Sequence, residues 1–135
     1  MILCDTGPLV ALLIEDDPDH VICTHAASAA SGPLLTTDAC LTETLHLLGR
    51  AGGLRAQNGL WSTVRSGKVN VTAMSHDARL RAAAYMDKYG DLPCDHADAT
   101  LLVAAEDTGI RCIFTIDSHF YAYMLNDGSH FEMFP

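Results

Sequence analysis

Four carboxylates in this 135-residue chain stand where a carboxylate either caps a turn or holds a ligand: Asp5, Glu43, Asp98 and Asp117. Asp5 directly follows the apolar run Ile2-Leu3-Cys4, and Asp117 directly follows the run from Cys112 to Ile116. In an open parallel sheet, ligands collect beyond the carboxyl ends of the strands, so both acids fall at that edge. Either alone is accounted for as a side chain capping the turn after it. Two strands ending in the same way favour a shared site. Asp98 is more telling. At about 100° per residue it falls within the helical stripe of Ala97, Leu101, Leu102 and Ala105, where an unpaired charge is costly. A capping box, with Asp98 turned back to the backbone of Asp95, also accounts for it, and Asp95 itself reads as the N-cap. Glu43 lies at the rim of the apolar face of its helix, beside Leu47. From there a carboxylate can look into a cleft or simply be solvated.

Acids so far apart in the chain meet only through the fold. If they meet, like charges within a few ångströms repel, and a hard divalent cation relieves the repulsion. Mg²⁺ or Mn²⁺ suits carboxylate donors, and Mg²⁺ keeps several of its waters. Such a centre fits phosphodiester hydrolysis: it acidifies a water, orients the phosphate and stabilises the leaving oxygen. No Ser-His-Asp or Cys-His nucleophile is required. There is no G-x-G-x-x-G, Walker lysine or H-E-x-x-H, so nucleotide-cofactor and zinc-protease chemistries lack support.

The elements that would position these acids alternate between strand and helix. Ile2 to Cys4 reads as a strand, and Pro8 sits well in the first turn of a helix to about Ile14. Asp16-Asp17-Pro18 opens a second helix to about Ala30, followed by a strand at Leu34 to Thr36. Asp38 is an N-cap for a helix through Arg50. Ala51-Gly52-Gly53 stops it, and another helix runs over 54–66. Val69 to Val71 alternates like a strand. Ser75 caps a helix to about Tyr89, and Asp95 begins one to about Asp107 with Gly109 as its stop. Cys112 to Ile116 reads as a buried parallel strand, a short helix spans Phe120 to Leu125, and Phe131 to Phe134 forms an edge strand. Strands separated by helices imply a mostly parallel sheet of four to five strands, covered on both faces. The length fits a single domain over residues 1–135.

Composition narrows the function. At 49% hydrophobic and 19% charged residues, the chain builds a packed core rather than a disordered coil. The start, Met1 to Asp5, has no basic region and meets an acid at once, so no secretory leader is expected. The apolar stretch from Pro8 to Ile14 is too short to span a bilayer. Five cysteines without a C-x-x-C are expected to be free thiols of a cytoplasmic protein. The formal charge of −9 argues against binding nucleic acid through a broad basic face. Withdrawing four acids as metal ligands moves −9 only to −5. An RNA substrate would therefore be held by metal-to-phosphate contact and a few arginines.

Four blocks of sequence together resemble the PIN-domain family, in particular the VapC-type toxins of bacterial and archaeal toxin–antitoxin pairs. They are Ile2-Leu3-Cys4-Asp5-Thr6-Gly7-Pro8-Leu9; Thr42-Glu43 with Leu45, Leu47 and Leu48; Leu92-Pro93-Cys94-Asp95-His96-Ala97-Asp98-Ala99; and Ile113-Phe114-Thr115-Ile116-Asp117-Ser118-His119-Phe120. Their order and spacing cover essentially the whole chain. The resemblance implies a three-layer α/β/α fold and a Mg²⁺- or Mn²⁺-dependent endoribonuclease with Asp5, Glu43, Asp98 and Asp117 as its acidic site. It implies Asp95 as a further acid, with Thr6 and Thr115 as hydroxyls that orient a carboxylate or water. It also implies products with 5′-phosphate and 3′-hydroxyl ends, a homodimer, and silencing by a small VapB-like antitoxin. The last block departs from the family pattern, because His119 stands where a second acid is common, and His96 replaces an apolar residue.

Other residues carry weaker signals. Arg50, two turns beyond Glu43 on the same side of its helix, could meet an RNA phosphate or complement the helix dipole. His119 could bind phosphate or be an idle loop histidine. Arg79 and Arg81 read as solvated charges, Trp61 as core, and Tyr121 and Tyr123 as packing residues that could stack bases. Two rival readings remain at this point: a PIN-like module that grips RNA or protein without cutting, and a housekeeping nuclease rather than a toxin. A phospho-acceptor signalling domain also gathers acids at a sheet edge. It wants a lysine after the last strands, and Lys68 and Lys88 are not there.

Overall fold

The first strand of the chain lies at the centre of the sheet. In this computed structural model, which describes residues 1–135, β1 (Ile2–Cys4) is flanked on one side by β2 (Leu34–Thr37) and then β3 (Val69–Thr72). On its other side lie β4 (Cys112–Phe114) and then β5 (Glu132–Phe134). All four pairings are parallel, so the sheet has five strands in the order β3-β2-β1-β4-β5. A two-residue side-chain period gives each strand one residue per face, and both faces are apolar. Leu3, Leu35 and Ile113 point to one side, where they join a core with α4 (His76–Lys88) and α5 (His96–Thr108). Cys4, Leu34, Val69 and Phe114 point to the other, against α1 (Thr6–Leu13) and α2 (His20–Ala29). This is the expected three-layer α/β/α arrangement. No helix is long and apolar enough to cross a membrane.

Several boundaries differ from those read in the sequence. α1 starts at Thr6, where the Asp5 carboxylate accepts from the Thr6 amide and caps the helix, with Pro8 in its first turn as expected; it ends at Leu13. α2 starts only at His20. The expected pair of helices around residue 50 is one hydrogen-bonded element, α3 (Asp38–Arg65), broken at Gly53. Gly53 has φ 66° and ψ −158°, in the half of backbone space that glycine enters freely. The local stop read at Ala51-Gly52-Gly53 is therefore real, but it kinks the helix instead of ending it. The strand expected over Cys112 to Ile116 ends at Phe114. Thr115 turns its hydroxyl to Asp5, and Ile116 is left 43% exposed. The short helix near Phe120 is a single 3-10 turn over Ser118–Tyr121.

The packing settles the other side chains. Arg81 is not a free surface charge: its guanidinium pairs with Asp77 at 3.2 Å, Glu106 at 3.1 Å and Asp107 at 2.7 Å, tying α4 to α5. Tyr85, buried in the same seam, donates to Glu106. Leu60 is fully buried, and Trp61 packs beside it at the edge of the small core between α1 and α3. All five cysteines are free thiols, four of them buried.

Candidate active site

Each predicted acid is delivered by a separate element. Asp5 ends β1 and opens α1; Glu43 sits in the second turn of α3, just after β2; Asp98 lies in the first turn of α5; Asp117 follows β4 by three residues. All four line one open cleft of about 510 Å³ at the carboxyl end of the sheet, together with Asp95, Thr6 and His119. The turn after β1 is tight there. A Cβ on Gly7 would lie 2.9 Å from the Ile116 side chain, so a glycine at this position lets the two walls of the cleft approach.

The carboxylates are held by a chain of hydroxyls and amides. Asp5 Oδ1 accepts from the Thr6 amide at 2.7 Å, and Asp5 Oδ2 accepts from the Thr115 hydroxyl at 2.9 Å. The Thr115 oxygen in turn accepts from the Asp117 amide at 3.0 Å. On the other side, the Thr6 hydroxyl donates to Glu43 Oε2 at 3.3 Å. One relay thus runs from Asp117 through Thr115, Asp5 and Thr6 to Glu43. Thr6 and Thr115 each donate a hydroxyl to one of the four carboxylates.

Asp98 is anchored separately, by a capping box and by a buried tyrosine. The capping box is present: the Asp98 amide donates to Asp95 Oδ1 at 2.9 Å, and the Asp95 amide donates to Asp98 Oδ2 at 3.3 Å. Asp98 is nevertheless 7% exposed and faces the cleft. The buried Tyr123 hydroxyl donates to Asp98 Oδ2 at 3.2 Å. Tyr123 is the residue that sequence reasoning missed. It lies 25 positions beyond Asp98, in an irregular segment whose path no periodicity reveals. The His119 Nδ1 lies 2.6 Å from Asp117 Oδ1, which also accepts from the His119 amide at 2.9 Å. Arg50 is exposed further along α3 and lies outside the lining of the cleft. Tyr121 is 69% exposed.

Burial and crowding make the cluster hard to ionise. Asp5 is pushed up from 3.8 to about 6, chiefly by burial and then by the charges of Asp117 and Glu43; the bonds from Thr6 and Thr115 only partly offset this. Asp98 is pushed up to about 7, again by burial first and then by Asp95 and Asp5. Glu43 is raised by burial and by Asp95. The acids therefore act on one another as a single electrostatic unit. No three acid, histidine or cysteine side chains are drawn together into a finished coordination sphere; the acids stand around the opening, each tied back by its own hydrogen bonds. The donor set is nonetheless that of a hard divalent cation: all-oxygen, anionic, and open to water.

A five-stranded parallel sheet between helical layers, with buried acids gathered past its strand ends, defines an α/β domain of one particular class. Over residues 2–124 the chain matches the PIN domain, and it belongs to that family. Among solved structures, that of Mycobacterium tuberculosis VapC20, a toxin that cleaves the sarcin–ricin loop, is similar with a TM-score of 0.87 across 100% of both chains at 23% identity. Curated protein sequences give no match.

Proposed function

We propose that this chain is a metal-dependent endoribonuclease and the toxin of a type II toxin–antitoxin pair. The observation that carries the reading is the arrival of Asp5, Glu43, Asp98 and Asp117, from four separate elements, in one cleft where two of them are almost wholly buried. A fold without a use for them would not sustain that desolvation cost. Membership of the PIN domain family and the likeness to an RNA-cleaving toxin support the choice of substrate class. A homodimer and a small VapB-like antitoxin, implied by the resemblance of the sequence to VapC-type toxins, belong to the same proposal.

In this reading the four acids hold Mg²⁺ or Mn²⁺, with Asp95 contributing charge from the outer wall. A divalent cation supplies Lewis-acid stabilisation of phosphate charge and acidifies water. The chain's own part is to place and orient. Thr6 fixes both the Asp5 cap and the Glu43 carboxylate, Thr115 aims Asp5 Oδ2, and Tyr123 with the Asp95 amide fixes Asp98. His119 holds Asp117 through both its amide and its ring, and its place at the lip of the cleft suits contact with a phosphate.

Incubating the purified protein with labelled single-stranded RNA tests the proposal. Internal cuts are expected with Mn²⁺ or Mg²⁺ and none with excess EDTA. RNA that is retained but never cut at any metal concentration would instead make the domain a binding module. Tyr123→Phe tests the support of Asp98. It keeps the ring packing on Phe120 and removes only the hydroxyl. The half-saturating Mn²⁺ concentration should rise about tenfold, as for loss of a ligand's hydrogen-bond partner, with the fold intact by circular dichroism. An unchanged metal titration would remove Tyr123 from the site.

A further inference from the structure

A second cavity, of about 630 Å³, adjoins the acidic cleft and shares Glu43 and Asp95 with it as a common wall. It is an open cleft bordered by the start of α3, the first turns of α4 and α5, and the segment carrying Met74. Three side chains on it are able to donate to an anion, namely His46, Arg79 and His96. All three are exposed, and none has a hydrogen-bond or ion-pair partner within the chain. Ala39, Met74 and Ala97 supply an apolar floor.

Arg79 stands out among the chain's few cations. Of the eight Lys and Arg residues, Arg81 and Arg111 are engaged by carboxylates, and Lys88 bonds the Met124 carbonyl over the Tyr85 and Tyr89 rings. Arg50, Arg55, Arg65 and Lys68 line neither cavity. Arg79 alone of the eight lines either cavity. The cleft itself offers a polyanion only carboxylates, neutral groups and His119. A strand cut there continues past the Glu43–Asp95 wall, and the space it enters has an apolar floor for a base and unengaged donors for a phosphate. The volume lies within the range of about 300–1,000 Å³ typical of small-ligand pockets, ample for one nucleotide unit. Asp38 on the rim, with Glu43 and Asp95, keeps the cavity from being a general anion trap, so binding depends on Arg79 rather than on bulk charge.

We propose that this second cavity is a nucleotide subsite that holds the RNA unit flanking the scissile phosphate, with Arg79 as its phosphate ligand and His46 and His96 as supporting donors. The assignment rests on the ribonuclease reading above. It is tested by anisotropy of a short labelled single-stranded RNA on the Asp5→Asn background, alongside steady-state cleavage by the otherwise native protein. Arg79→Ala should raise Kd and KM about tenfold, the loss of one charge-assisted contact, with kcat within about twofold. The slope of log K against log salt should become shallower by about 0.7, the value for one phosphate on a single strand. Arg79→Lys should recover most of the affinity. His46→Gln with His96→Gln should cost about threefold, a lesser share of the same contact. Arg65→Ala, remote on α3, should change none of these. Unaltered RNA affinity in Arg79→Ala, or an equal loss in Arg65→Ala, overturns the subsite while metal-dependent cutting leaves the ribonuclease reading standing. If the native protein neither binds nor cuts RNA, both fall together.

Discussion

Asp5→Asn is expected to abolish RNA cleavage, with a loss of at least about 10²–10³-fold in kcat, the scale set by removing one preorganised electrostatic group. The fold should survive the change. An asparagine oxygen can still accept from the Thr6 amide, and the neutral side chain no longer bears the burial and repulsion that push Asp5 up to about 6. The variant should therefore melt no lower than the native protein in EDTA while losing its response to Mn²⁺. The lost response to Mn²⁺ is what separates a catalytic acid from a structural one, since asparagine caps a helix about as well as aspartate. Undiminished cutting by a preparation free of contaminating nuclease would remove Asp5 from the reaction.

The second large effect is a pH dependence of stability opposite in sign to that of a surface carboxylate. In the unfolded chain Asp5 and Asp98 ionise near the ordinary 3.8, but in the fold they do so at about 6 and about 7. Between about pH 4 and 7 the folded protein keeps protons that the unfolded chain has already released. Stability contributed by these two residues thus falls as pH rises through that window and levels off above it. With EDTA present, the melting temperature should drop between pH 5 and 8, and Asp98→Asn should shrink the drop. Mn²⁺, which favours the ionised acids, should restore the loss at pH 8 and do little at pH 5. A metal-induced stabilisation equal at both pH values would mean that these carboxylates are not the ligands.

The acids were legible in sequence because each breaks a local rule. Asp5 and Asp117 interrupt apolar runs, and Asp98 sits on a stripe that should be apolar. Glu43 was the weakest signal, because an acid at the rim of a helix is ordinary until the Thr6 hydroxyl is seen to reach it. What escaped was set by contacts between distant segments. Nothing local marks Tyr123 as the partner of Asp98, or Arg81 as the centre of three ion pairs across two helices. Where β4 ends, the Thr115 amide still donates to the Phe134 carbonyl while its hydroxyl reaches Asp5, 110 positions earlier, a contact no local pattern announces. His119 read in sequence as either a phosphate contact or an idle loop residue, and nothing local showed that its ring and amide both engage Asp117.

The central place of β1 also bears on how the molecule comes into being during translation. β1 waits between two neighbours made after it: β2 pairs with it after some thirty residues, but β4 supplies its other edge only at Cys112 to Phe114. The Asp5 amide donates to the Phe114 carbonyl, and the Asp5 carboxylate has no hydroxyl partner until Thr115 emerges. Assembly is governed by contacts of great sequence separation, which form slowly and late. A nascent polypeptide still short of Asp117 lacks one wall of its pocket, so the cleft closes around its acids only once the segment after β4 has joined the sheet.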